Sequence, residues 1–222
     1  ALAAEPLYVL VDTAVVGHLG RSQLAALGLA ATVLSVLAMF NFLQYGTTAQ
    51  VARATGAGES ETAARLGAQS LWLSLAFGCA LAAAVAVFAE PVVDLVGVEG
   101  DTAAYAVSYL RIMALGIPSA FLAIGGQGFL RGVSDLRTPL LIVIAGNVVN
   151  VVLEVWLVYG LEHGAEGSAW CPVVAQTGMG LAMAVAILRR VGRANAGLRL
   201  TLARRLLSLG KFLFIRTASL IA

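Results

Sequence analysis

Long apolar runs decide what this chain can become. A helix needs about 20 mainly apolar residues to cross the hydrocarbon core of a bilayer. Six runs are read as membrane helices: Leu2–Val16, Leu24–Gln50, Ala63–Ala89, Thr102–Leu130, Pro139–Tyr159 and Gly167–Leu188. A seventh begins near Lys211. Charge is correspondingly sparse, at 12% of residues, against about 25% in soluble domains. Lipid is therefore the expected solvent. Period-two alternation is absent, which argues against a membrane β-barrel. The expected fold is all-α and integral to the membrane: a six-helix transmembrane bundle over 1–188, a basic linker over 189–210, and the start of a seventh helix over 211–222. No initiator methionine or basic leader precedes the first run. That run reads as a helix entered partway, without a signal peptide.

The basic residues set an orientation. Arg53 and Arg65 follow the second run, and Arg131 and Arg137 follow the fourth. Seven more lie between Arg189 and Lys211, so these three segments hold eleven of the fourteen basic residues. The opposite loops carry Glu90, Asp94, Glu99, Asp101, Glu162 and Glu166, with Arg21 and nearby Arg111. By the positive-inside rule the arginine-rich segments are cytoplasmic and the N-terminus is cytoplasmic. The arginines fit topology, so no nucleic-acid partner is expected. In "RRVGRANAGLRLTLARRLLSLGK" (189–211), Leu198, Leu202, Leu206 and Leu209 recur at helical spacing among arginines. That pattern suits a basic helix on the cytoplasmic bilayer surface. The alternative is a polar loop that obeys the charge rule.

Two runs break the apolar pattern internally. The fifth, "PLLIVIAGNVVNVVLEVWLVYG", holds Asn147, Asn150 and Glu154 at intervals of three and four. Those intervals put all three on one helix face. The first run spaces Glu5, Tyr8 and Asp12 the same way. A carboxylate at the bilayer centre costs roughly 2.5–3.5 kcal/mol on insertion scales. Two carboxylates sharing one internal site titrate as a unit. Asn or Tyr beside them can hydrogen-bond either protonation state or help to ligate a sodium ion. Asp12, Asn150 and Glu154 are therefore the candidate coupling site for a proton or a sodium ion. The competing reading is polar glue between helices.

The stretches "YVLVDTAVVGHLG", "GTTAQVARATGAGE", "GQGFLRGVSDLRTPL" and "GNVVNVVLE", in this order and at these separations, resemble the multidrug and toxic compound extrusion family. The branch they look most like is the prokaryotic one named for the DNA-damage-inducible protein F. The resemblance implies twelve helices in two six-helix lobes, with a cavity opening alternately to either side. This chain would be the N-terminal lobe with its linker, partnered by a C-terminal lobe of the same polypeptide. The implied activity is export of amphipathic, often cationic small molecules by ion antiport, in a bacterial inner membrane. The family's helix-1 aspartate and the tyrosine one turn before it fall on Asp12 and Tyr8, and its helix-5 asparagine and acidic residue on Asn150 and Glu154. That acidic residue is usually aspartate, so Glu154 departs by one methylene. A helix-6 threonine of some relatives is replaced by the Cys171-Pro172 pair, which favours protons over sodium. The helix-1 proline of some relatives would lie just before Ala1; Pro6 is a different position.

The remaining polar membrane residues form a second group. Asn41 and Gln44 line a cavity or join helices, Gln127 and Gln176 are further cavity candidates, and Glu5, Tyr8 and Asn147 complete the set. In "RGVSDLRTP" (131–139), Arg131, Asp135 and Arg137 suit either an ion pair biasing one conformation or a capped turn. "ATGAGES" (54–60) reads as a loop and "GGQG" (125–128) as a small-residue packing face; neither has the strand-loop-helix context of a phosphate loop. Cys79 and Cys171 lack a CxxC pattern, so neither a disulfide nor a zinc site is expected. His18 and His163 read as loop residues, and Trp72, Trp156 and Trp170 as packing or interface residues. No nucleophile–base set is visible, so no enzyme and no cofactor beyond the coupling ion is expected. A flippase for a lipid-linked precursor is the nearest alternative, but its cavity needs basic residues that these runs lack. A non-transporting scaffold has no need of two matched carboxylates.

Overall fold

A computed structural model of the chain describes Gly28, Thr32, Phe40, residues 42–157 and 164–192, Gly197, Leu202 and Leu206. Most of the described residues fall in five helices, and tight turns join the first four. These are α1 (Phe42–Gly56), α2 (Ser60–Leu95), α3 (Gly100–Gly132), α4 (Arg137–Val155) and α5 (Gly164–Val191). They correspond to the second to sixth apolar runs. Four of them contain segments long and apolar enough to cross a membrane: Ser60–Leu95, Gly100–Gly132, Arg137–Val155 and Ala169–Val191. The first run and the seventh lie outside the described residues.

The helices overrun their apolar sequences. α1 continues past Gln50 to Gly56, so Arg53 and the first residues of "ATGAGES" are helical rather than loop. Glu90 and Asp94 belong to the end of α2, Asp101 to the first turn of α3, and Arg131 to its last turn. Arg137 opens α4, and Glu166, Arg189 and Arg190 lie in α5. The physical reason is that charged side chains end hydrophobicity without ending a helix. The backbone stops instead where a residue can turn left-handed. Gly58 does so after α1, at φ 77°. There Glu59 N donates to Ala54 O at 2.9 Å and Gly58 N to Thr55 O at 3.1 Å, the paired bonds of a Schellman cap. The same cap closes α3 with Ser134 in the left-handed position, at φ 63°. Asp135 N there donates to Leu130 O at 2.8 Å and Ser134 N to Arg131 O at 3.0 Å.

The chain divides into two compact units. The described residues of the first are Gly28, Thr32 and those in Cys79–Pro118 and Val143–Gly178. Its core gathers Ala89 and Val93 of α2, Ala106, Tyr109, Leu110 and Met113 of α3, and Ala169 and Val173 of α5. The second unit is built on Ser35–Gly78, Ser119–Ile142 and Met179–Ala222. Its core joins Val51, Leu66, Phe129, Leu130, Met183 and Ile187. Leu206 is buried in that same core, and Gly197 O accepts a hydrogen bond from Gln69 Nε2 at 2.8 Å. Gly197 and Leu206 thus both lie against the second unit.

Glycines let the helices of the second unit approach closely. A Cβ on Gly128 would stand 2.8 Å from Gln44 O, and one on Gly180 would stand 2.3 Å from Ser119 O. Both contacts are with backbone, which cannot move aside. "GGQG" is therefore a packing face as expected, with Gly125 against Ser74, Gly126 against Met183 and Gly128 against α1. Small residues at such crossings are the usual means of packing helices in lipid, where the hydrophobic effect drives no association between them.

Candidate functional site

α4 is inverted relative to a soluble helix. Its valines look outward: Val148, Val149, Val152 and Val155 are exposed, Val152 by 61%. Its polar side chains turn in. Glu154 is 1% exposed and Asn150 3%, while Asn147 is half-buried. The spacing of three and four had placed these groups on one face, and that face is the interior one. Burial of Asn150 is incomplete chemically, because its Oδ1 has no hydrogen-bond partner among the described residues. A buried carbonyl oxygen without a donor costs about 1–3 kcal/mol. Beyond Val155 the chain widens into a π-type turn at Trp156 and Leu157, an irregularity frequent at functional sites.

Gln176 of α5 belongs to the same unit as Asn150 and Glu154. It is half-buried, with Oε1 against the Gly116 backbone of α3, 3.3 Å from where a Cβ would stand. Cys171 and Pro172 are both buried in α5. Pro172 lies inside the helix, where it removes one rung of the hydrogen-bond ladder. Glu5, Tyr8, Asp12 and Asn41 lie outside the described residues.

The other candidates belong to the second unit. Gln44 is buried in α1 beside Gly128, and its Nε2 has no partner among the described residues. Gln127 is half-buried and accepts a hydrogen bond from Arg131 Nη2 at 3.2 Å. The Arg131–Asp135–Arg137 group resolves differently from a local ion pair. Asp135 caps α4, Oδ1 accepting from Arg137 N at 3.1 Å and Thr138 N at 3.0 Å. Its Oδ2 accepts from Thr138 Oγ1 at 2.6 Å and from Arg190 Nη2 of α5 at 2.5 Å. The cap was legible from the sequence, but the partner was not.

Sequence reasoning also passed over a buried polar group in the second unit: Thr47, Gln50, Gln69, Ser70 and Ser74. Thr48 Oγ1 donates toward Gln44 O and Gly128 O, and Ser70 Oγ toward Gly67 O. The available signal was the interval of three from Thr47 to Gln50 and of four from Ser70 to Ser74, within apolar runs. No cluster of three or more His, Cys, Asp or Glu that could hold a metal ion occurs among the described residues.

Comparison with known proteins agrees with this architecture. The MatE family model matches residues 1–156. DNA damage-inducible protein F of Escherichia coli (strain K12) is 35% identical over 224 residues, covering 96% of this chain and 48% of that protein. Protein DETOXIFICATION 44, chloroplastic, of Arabidopsis thaliana is 32% identical over 234 residues, covering 100% of this chain and 45% of that protein. A solved structure described as the inward-facing conformation of a multidrug resistance MATE family transporter of the MOP superfamily superposes with a TM-score of 0.84 at 26% identity, covering 92% of this chain and 48% of that one. The chain thus spans about half the length of the curated relatives that it matches. With its membrane-spanning helices and glycine-packed crossings, it is a multi-pass membrane protein that belongs to the MatE family, the multidrug and toxic compound extrusion transporters.

Proposed function

We propose that this chain is the N-terminal lobe of a secondary active transporter that exports amphipathic or cationic small molecules by antiport. The coupling ion is a proton, with sodium the alternative. Residues 1–188 form the lobe, 189–210 the cytoplasmic linker and 211–222 the start of helix 7, with the N-terminus cytoplasmic in a bacterial inner membrane. The observation that carries this reading is the inverted α4. It holds a carboxylate, Glu154, and an amide oxygen without a described partner, Asn150, inside a helix otherwise apolar enough to span a bilayer. Intramembrane ionisable groups turned to the interior commonly mark ion pathways.

In this reading Asp12 joins Asn150 and Glu154. An ion enters from outside and changes the packing around the carboxylates. Substrate leaves, and ion release inside resets the lobe. Such a cycle requires different ion affinities in the two states. Proton preference is supported by the Cys171-Pro172 pair, which supplies no hydroxyl for a sodium shell. The multidrug resistance named for the structural relative supports the substrate class. The test is efflux by the full-length protein in proteoliposomes with proton and sodium gradients imposed separately. A proton gradient is expected to drive export of a cationic dye. Export that ignores both gradients would overturn the antiport reading.

A further inference from the structure

An open groove of about 420 Å3 lies on the first unit. Ala104, Val107, Ser108 and Ile112 of α3 line it, with Glu90 of α2 and Arg111 of α3. These last two form an ion pair at 3.0 Å, and their side chains remain 61% and 50% exposed. The same two helices expose large apolar side chains close by in sequence, Val87 and Phe88 on α2 and Leu115 on α3. A charged pair among exposed apolar side chains is costly in lipid unless polar company lies at hand.

The depth of the pair suggests what that company is. α3 has 33 residues, a length of ~50 Å at ~1.5 Å per residue. The hydrocarbon core is ~30 Å thick. Some two turns at each end therefore reach the headgroup region. Arg111 lies ~16 Å from the start of α3 and Glu90 ~8 Å from the end of α2. Snorkelling of the long arginine side chain covers the difference. The pair thus comes to the level of the phosphates and glycerols of the bilayer.

We propose that this groove binds the headgroup of a phosphatidylethanolamine-type lipid. The ion pair engages one arginine nitrogen and one carboxylate oxygen. The rest of the guanidinium fork suits a lipid phosphate, which it can bind in bidentate fashion. The second oxygen of Glu90 suits a primary ammonium, which brings three N–H donors. A choline headgroup has no N–H to offer that carboxylate. A glycerol headgroup carries no cation, so its phosphate meets the charge of Glu90 uncompensated. The opposed charges of the groove therefore match a zwitterion with a hydrogen-bonding amine.

The test uses delipidated full-length protein titrated with phosphatidylethanolamine, its N-methyl derivatives, phosphatidylcholine and phosphatidylglycerol. Retained lipid is counted by native mass spectrometry, a readout independent of transport. Retention is expected to fall along the methylation series, by about ten-fold from ethanolamine to choline, the effect of one lost charge-assisted hydrogen bond. Arg111→Gln and Glu90→Gln are each expected to bring ethanolamine retention down to the choline level. The lipid series on the unaltered protein needs no variant to fold. Equal retention across headgroups means annular lipid only and overturns the proposal, as does a preference for phosphatidylglycerol. An ethanolamine preference surviving both substitutions overturns the assignment to this groove. Failure of a lipid-soluble maleimide to label Ser108→Cys would mean that protein covers the groove, and would overturn it too.

Discussion

Asp135 and Arg190 stand 55 residues apart in sequence, yet Arg190 Nη2 donates to Asp135 Oδ2 at 2.5 Å. The contact ties the cap of α4 to the last turn of α5. Arg190 is half-exposed, so the ion pair alone contributes under about 1 kcal/mol. The cap of α4 adds about 1 kcal/mol.

Acid should weaken this junction. The Thr138 hydroxyl, then the Thr138 N–H, and also Arg190 hold the Asp135 carboxyl below its ordinary pKa of 3.8, against a smaller opposing effect of burial. A depressed carboxylate stabilises the fold above its unfolded pKa and stops doing so as pH falls through the folded one. The stability gap between the unaltered protein and Asp135→Asn should therefore hold steady from neutral pH to about 4 and shrink below it. Thermal unfolding in detergent at stepped pH measures this. A gap that widens on acidification would contradict it.

Two glycines of α5 should respond oppositely to alanine. At Gly180 the new methyl group would meet Ser119 O at 2.3 Å, whereas at Gly178 nothing lies within 4 Å. Gly180→Ala should destabilise by roughly 1–3 kcal/mol, as overpacking does. Gly178→Ala should be neutral or stabilising by up to ~1 kcal/mol through helix propensity. Melting temperatures of the two variants, measured side by side in full-length protein, decide it.

Ser134 occupies a position that favours glycine, at φ 63°. A non-glycine residue there costs about 1–2 kcal/mol. Ser134→Gly relieves that cost but adds freedom to the unfolded chain, so a net gain of up to ~1 kcal/mol is expected. Ser134→Val, with a branched side chain in the same turn, should lower the melting temperature. If both variants melt alike, strain at this turn is not what distinguishes them.

The proposed coupling site predicts a pattern across three full-length variants. Asp12→Asn and Glu154→Gln should abolish gradient-driven export while leaving insertion nearly intact. Glu154→Asp should retain export with a shifted pH optimum, since it keeps the carboxylate. Amides also join helices within membranes, so polar glue alone would tolerate Asp12→Asn. Efflux resolved by pH and normalised to folded protein separates the two, and export like the unaltered protein by Asp12→Asn would leave only the glue role.

The helices and the polar face of α4 were legible in the sequence because both are local patterns. Asn147, Asn150 and Glu154 needed only the period of a helix to share a face. The ends of α1 and α3 were not legible from charge, because Gly58 and Ser134 set them through backbone conformation. The Asp135–Arg190 contact was hidden for another reason: pairing across 55 residues depends on how α4 and α5 pack. Thr47, Ser70 and Ser74 were missed because small hydroxyls barely dent an apolar run, although all three are buried.

The outward valines of α4 also bear on how the protein is made. Recognition at insertion sums hydrophobicity along a segment, and Val148, Val149, Val152 and Val155 supply much of that sum for a helix carrying an acid. One face thus serves as the passport into the bilayer and the opposite face as the cargo. A charged replacement at Val152 would interrupt biogenesis and leave little protein to assay. Changes at Glu154 would strike after the helix had already arrived.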